Sequence, residues 1–340
     1  MSDAAVRLAD VAEQAGVSEA TVSRVLNGKP GVTENTRQAV LTAMDLLGYE
    51  RPARARQRSA GLIGLVVPEL NNPIFPAFAQ HIERTLILRG YTPVLCTHSP
   101  GGATEDECIS SLTDRGVAGI VFISGQHANV GGAHERYTRL LGEGVPLVLL
   151  NGCTENPPAP VFSADDGTAV ELAFGHLRAL GHERIGLAVG PERFVPALRK
   201  AAAFRELIGP LPGATEDADK LIVHSLFSVE GGQSAAQALL DRGCTAVICG
   251  SDLMALGVIR AARRLGWSVP GELSVVGYDD SPLMAFTDPP LTTVRQPVAA
   301  LATEAVGTLL DTIAGAKPEP TEYFFEPELL MRGSTAARPG

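Results

Sequence analysis

The chain has 340 residues, 45% hydrophobic and 19% charged, and carries a formal net charge of −10. That length allows more than one domain with a substantial core, and the composition excludes a disordered or low-complexity protein. No apolar run reaches the roughly 18 residues of a membrane span, and the first seven residues lack the basic and apolar regions of a secretory signal, so a cytoplasmic protein working away from membranes is expected.

Leu8, Val11, Ala12 and Ala15 recur at the spacing of a short amphipathic helix, and Gly16 follows where a helix stops through a left-handed residue. Ser18 is a good N-cap for a second helix, with Val22, Val25 and Leu26 on one face and Ala20, Arg24 and Asn27 on the other. Gly28, Pro30 and Gly31 break the chain. Thr33 then caps a third helix that turns Val40, Met44 and Leu47 inward and ends at Gly48. Three short helices with a tight glycine turn describe a helix-turn-helix unit over 1–50. Spacing alone fits a small protein-binding bundle equally well. Residues 51–60 form a linker with Arg51, Arg54, Arg56 and Arg58 and no acid among them. The first sixty residues hold eight Lys/Arg against seven Asp/Glu, and the remainder 20 against 31. An acidic body with a local basic patch suits a protein that meets phosphate at one end.

From residue 61 onward, β-rich runs alternate with amphipathic helices. Strands are predicted at 62–67, 92–96, 117–123 and 147–150, with helices near 76–89, 104–115 and 133–143. A second series follows, with helices at 167–180, 197–208, 229–241 and 252–265 and strands at 185–189, 221–224, 246–249 and 273–276. This alternation predicts an α/β body over 61–335 made of two doubly wound lobes with parallel sheets. A helix near 298–314 is expected to return to the first lobe, giving lobes of 61–162 with 292–320 and 163–291 with 321–335. A ligand would bind where strand ends of the two lobes face each other. The body has no phosphate-loop, dinucleotide or nucleophile-elbow motif. Its histidines show no H-x-x-x-H pairing, so neither an enzyme, nor a metal, nor a cofactor is expected. The five cysteines are odd in number and show no C-x-x-C spacing, as suits core thiols in a reducing compartment. His182, between a helix and a strand, is expected to cap structure.

The literal sequence adds to this. Leu8-Ala9-Asp10-Val11-Ala12, Ala15-Gly16-Val17-Ser18 and Thr21-Val22-Ser23-Arg24-Val25-Leu26-Asn27 closely resemble the head of the lactose-repressor/galactose-repressor (LacI/GalR) family. The resemblance continues in Asn71-Asn72-Pro73-Ile74-Phe75, Asp165-Asp166-Gly167, Ser274-Val275-Val276-Gly277-Tyr278-Asp279-Asp280, Pro290-Leu291-Thr292-Thr293-Val294 and Arg332-Gly333-Ser334-Thr335. It implies a DNA-binding transcription regulator, in particular a repressor, with a helix-turn-helix head on a body like that of periplasmic binding proteins. The second helix would enter the major groove of a near-palindromic double-stranded operator. Glu19, Ala20 and Arg24 would stand at base edges, with Arg24 suited to guanine and Glu19 either accepting from cytosine or simply solvated at the helix start. Thr21 and Ser23 would sit beside the phosphates, Asn27 would lie on the DNA-facing side of the helix, and Ser18 and Thr33 would bind phosphate. The linker departs from the family pattern. Its minor-groove leucine falls on Arg58 or Ser59, so either a hinge helix that works electrostatically through Arg54 and Arg58 or a basic linker fits.

For the body the resemblance implies a small-molecule effector, a sugar or sugar derivative, held by Asn72, Phe75, Asn151, Arg199, Lys200, Phe227, Ser251, Asp252 and Asp279. Each also has an ordinary reading as a cap or core residue. The family's R-x-x-G-F element appears as Lys200-Ala201-Ala202-Ala203-Phe204 after Arg199, so its forked cation is replaced or displaced. A homodimer without a tetramerising tail is expected, because no heptads follow Thr335. A solute-binding protein would explain the body but leave the head without a purpose.

Overall fold

The computed structural model describes residues 6–26, 29–49, 60–99, 101–154, 157–209 and 218–338. The chain divides into a small N-terminal head and a large body.

The head is three helices, α1 (Leu8–Ala15), α2 (Glu19–Leu26) and α3 (Glu34–Leu47). Their ends are where local chemistry puts them. Gly16 and Gly48 close α1 and α3 in left-handed backbone, at φ 65° and 63°, which glycine adopts without a Cβ clash. The hydroxyls of Ser18 and Thr33 accept from the amides of Thr21 and Thr36, both at 3.2 Å. Val11, Ala12, Val22, Val25, Val40, Ala43 and Tyr49 form the buried core.

The body begins with β1 (Leu62–Val67), α4 (Ile74–Leu88), β2 (Thr92–Thr97), α5 (Glu105–Thr113), β3 (Gly119–Ile123), α6 (Glu135–Gly142), β4 (Leu147–Leu150) and β5 (Val161–Ala164). It continues with α7 (Asp166–Ala179), β6 (Ile185–Val189), α8 (Val195–Ile208), β7 (Ile222–His224), α9 (Val229–Asp241), β8 (Ala246–Cys249), α10 (Asp252–Arg264), β9 (Ser274–Asp279) and β10 (Thr292–Arg295). The last elements are α11 (Val298–Ile313), β11 (Glu322–Phe325) and β12 (Glu328–Leu330). Two six-stranded sheets result, ordered β11-β5-β4-β3-β1-β2 and β12-β10-β9-β8-β6-β7. Neighbouring strands from β1 through β3 and β4 to β5 and β11, and from β7 through β6, β8 and β9 to β10, pair in parallel, while β12 lies antiparallel to β10. β3, β4, β6 and β8 are buried along their whole length, because helices cover both faces of a parallel sheet.

The two lobes follow expectation, but the crossings between them do not fall at 162, 292 and 321. β5 runs on to Ala164 in the first sheet, so the first crossing is the step into α7. Residues 292–295 stay in the second lobe as β10, paired with β9 in the register Thr292↔Val276. Residues 322–325 belong to the first lobe as β11, paired with β5 in the register Glu322↔Val161. Each misplaced strand is four residues long and mixes polar with apolar side chains. Its place is set by hydrogen-bonding partners far away in sequence, which periodicity does not report.

Candidate functional site

On the head, packing of Val22 and Val25 into the core turns the rest of α2 outward. Glu19, Ala20, Ser23 and Arg24 are exposed, and Thr21 is half-buried with its hydroxyl 3.0 Å from that of Ser18. The Arg24 guanidinium lies over the turn at Gly31, where a Cβ would sit 3.4 Å from Nη1. Ser18 and Thr33 stand at the starts of α2 and α3, whose unpaired amides favour phosphate. Asn27, Arg54 and Arg58 lie outside the described residues.

In the body, four non-glycine residues have left-handed backbone among those described: Ser124, Asn151, Asp279 and Asp280, at φ 47°, 68°, 118° and 56°. All follow or end strands at their carboxyl ends, β3 and β4 in the first lobe and β9 in the second. Such strain costs of order 1–3 kcal/mol per residue and concentrates where a protein handles ligands. The carboxyl edge of a parallel sheet is also where α/β folds bind them. Asn151 Nδ2 donates to Ser124 Oγ at 3.0 Å, which joins the two strained loops of the first lobe.

Acids crowd the facing edge of the second lobe. Asp279 is buried and accepts from Gln296 Nε2 at 2.7 Å. Burial first, and then the charge of Asp252, pushes its carboxyl well above the usual carboxylate range. Asp252 starts α10 and accepts from Thr293 Oγ1 at 2.6 Å and from the Ser281 amide at 2.7 Å, and burial lifts it to about 6. Two aspartates raised together form an edge suited to exchanging hydrogen bonds with hydroxyl groups. The Phe227 ring packs against Gly190 and Gly250, beyond the ends of β6 and β8; a Cβ at Gly190 would fall 2.0 Å from the ring.

The two cations have fixed partners. Lys200 Nζ contacts Asp166 Oδ1, both side chains being about 5% exposed, and lies 3.9 Å from the centre of the Tyr278 ring. Arg199 Nη1 and Nη2 donate to Glu322 at 2.7 and 2.6 Å, and Nη2 also donates to the Cys153 carbonyl at 3.2 Å. The forked cation therefore faces a carboxylate of this chain. Asn72 accepts from the Ile74 amide at 3.3 Å and starts α4, with Phe75 half-buried in its first turn. Ser251 accepts from the Met254 amide at 3.2 Å as the cap of α10. His182 holds a structural knot, with Nδ1 2.9 Å from Thr245 Oγ1 and Nε2 3.0 Å from Ser274 Oγ. Sequence reasoning missed Ser124, Tyr278, Gln296 and Glu322. Nothing local marks Gln296 or Glu322. No group of three or more potential metal ligands occurs among the described residues, and no described helix is long and apolar enough to cross a membrane.

Comparison with known proteins agrees with this geometry. Residues 7–52 match the family described as bacterial regulatory proteins, lacI family. Residues 174–335 match the periplasmic binding protein-like domain. The chain is 60% identical over 336 residues to the HTH-type transcriptional regulator MalR of Streptomyces coelicolor, covering 98% of each protein. It is 61% identical over 336 residues to an uncharacterized HTH-type transcriptional regulator in the aml 5′ region of Streptomyces limosus, covering 98% of this chain and 96% of the relative. Among solved structures, it is 31% identical to the transcriptional regulator CelR in its cellobiose complex, with a TM-score of 0.72 over 97% of this chain and 99% of the other. The lac repressor dimer bound to operator and an anti-inducer is 26% identical, with a TM-score of 0.67 over 98% and 100%. Head, two-lobed body and relatives of nearly full length converge: the chain belongs to the LacI family of bacterial transcription regulators.

Proposed function

We propose that this protein is a repressor that binds a near-palindromic operator as a homodimer and is regulated by a carbohydrate held between its lobes. The strained strand ends at Ser124, Asn151, Asp279 and Asp280 carry this reading. Edges from both lobes hold a polar set of left-handed residues beside a buried carboxyl that burial holds well above the usual carboxylate range, which suits a neutral polyol. In this reading Asp279 takes effector hydroxyls, with Asn151 opposite and Phe227 stacking on a sugar ring. Asn72, Phe75, Ser251 and Asp252 shape the walls. The sugar-bound relatives are consistent with it, among them CelR with cellobiose.

Glu19, Ala20 and Arg24 read the major groove, Ser18, Thr21, Ser23, Asn27 and Thr33 flank it, and Arg54 and Arg58 follow the backbone or the minor groove. The homodimer is supported by Leu283 and Phe286, 70% and 85% exposed after β9, and by the dimer named for the lac repressor structure. Exposed apolar side chains of this size favour burial against a second copy. An effector with different affinities for two lobe arrangements would shift operator affinity.

In vitro operator selection at defined salt, combined with thermal-shift screening of neutral sugars, sugar phosphates and nucleosides, tests the reading. A palindromic site released or tightened by a neutral sugar is expected. Binding only to nucleosides or sugar phosphates overturns the effector class, and a monomer in sedimentation overturns the dimer.

A further inference from the structure

The first lobe and the second meet along α8. At its N-terminal side the Val130 amide donates to the Arg193 carbonyl at 2.8 Å, part of a bridge between Asn129 and Phe194. Pro196 and Val195 stand against Gly152, where a Cβ would lie 3.3 Å from each. One turn further on, Arg199 reaches the edge strand β11 of the first lobe. Its guanidinium grips Glu322 with two bonds and lies 5.2 Å from the centre of the Phe324 ring. Glu322 also accepts from Ser163 Oγ at 2.6 Å, and Ser163 accepts from the Gly152 amide at 2.7 Å. The pair is thus tied to the loop carrying Asn151. On α8 itself the next residue, Lys200, is bound to Asp166 at the first crossing and to Tyr278, the neighbour of Asp279.

We infer that Arg199 and Glu322 form a latch between the lobes, so that Arg199 sets the lobe arrangement through Glu322 and is not a ligand of the effector. Both partners are largely buried, with 28% and 13% of their side chains exposed. A two-pronged guanidinium–carboxylate pair of this kind is geometrically specific and resists screening better than a surface pair. The latch joins two stiff elements. The segment 126–130 is anchored within the first lobe, because Glu105 accepts from the Gln126 amide at 2.9 Å and from Tyr137 Oη at 2.5 Å, while Tyr137 accepts from the His127 amide at 2.9 Å. Opening the latch therefore separates Val130 from Arg193 instead of fraying the loop. The importance of lobe arrangement for operator binding rests on the function proposed above; the latch itself does not.

Hydrogen exchange on the full-length protein without sugar or DNA tests the latch directly. The Val130 amide is the reporter, since it touches neither Arg199 nor Glu322 yet spans the lobes. In Glu322→Gln its exchange is expected to rise about tenfold, the loss of one strong charge-assisted pair, while Val121 in β3 and Ile248 in β8 keep their protection. Arg199→Lys, which keeps the charge but loses the fork, is expected to raise it by less and guards against a variant that fails to fold. An unchanged Val130 rate, with faster exchange only at 151–153, overturns the latch. Core amides accelerating in step with Val130 also overturn it, since that marks general destabilisation. A failed operator or sugar screen leaves these rates untouched, so the two readings fail separately.

Discussion

Gln296 donates to Asp279 at 2.7 Å and so ties the segment between β10 and α11, where the chain crosses from the second lobe back to the first, to the buried carboxyl at the end of β9. A ligand hydroxyl that engages Asp279 must share it with this crossing. The candidate effector contact and the hinge are therefore one hydrogen-bonded unit.

Asp279→Asn separates binding from stability. The amide oxygen can still accept from Gln296, and no charge need be buried, so the melting temperature is expected to hold or rise. Affinity for the sugar found by screening is expected to fall by about 0.5–1.5 kcal/mol, the worth of an ordinary hydrogen bond. Calorimetric titration beside a melting curve checks both halves; equal sugar affinity in the variant rules Asp279 out.

Lys200→Met is expected to act on stability. It leaves Asp166 buried without its partner, and breaking one side of such a pair costs about 3–5 kcal/mol. The double variant Asp166→Asn/Lys200→Met is expected to recover most of that loss. Urea denaturation of the wild type, Lys200→Met, Asp166→Asn and the double variant measures it. A stable single variant that has lost sugar binding alone makes Lys200 an effector ligand instead.

Asp252 predicts a slope in stability against pH. Burial lifts its carboxyl from 3.8 to about 6, so the folded chain holds this proton more tightly than the unfolded one. Its contribution is full below the unfolded value and is lost as pH rises from about 4 to about 6. Asp252→Asn is expected to be less stable overall, having lost an acceptor for Thr293 or Ser281, and to show a shallower decline across that window. Denaturation midpoints at closely spaced pH values distinguish the two curves.

Gly257→Ala probes the contact between α9 and α10. A Cβ there would lie 2.1 Å from the Val229 carbonyl oxygen, backbone that cannot rotate away. The helices must part, and overpacking of this kind costs about 1–3 kcal/mol or more. Alanine is otherwise the better helix former, so an unchanged melting temperature would mean the helices are not held this closely.

Arg24→Ala is expected to weaken operator binding by about 1–3 kcal/mol and to relax preference at one base pair per half-site. Repeating operator selection with the variant reads the second effect. Uniform weakening at every position would place Arg24 on phosphate.

The head was legible from local signals. Caps at Ser18 and Thr33 and left-handed stops at Gly16 and Gly48 depend on residues within a turn of each other, and each appears where expected. In the body the strand–helix alternation was legible too. Short strands such as β10 and β11 were not, because a run like Thr292-Thr293-Val294-Arg295 carries too little periodicity to show which sheet will pair with it.

What the sequence determined by itself was the kind of protein: a three-helix head, a basic linker and two α/β lobes. Tertiary structure alone decided what the charged residues do. Lys200 meets Asp166 across 34 positions and Arg199 meets Glu322 across 123. The partner of a buried charge is chosen by which groups the folded sheets bring within reach, and desolvation makes that choice binding. Arg199 and Lys200, adjacent in the chain and similar on paper, consequently fall to different tasks, one across the lobes and one within the second.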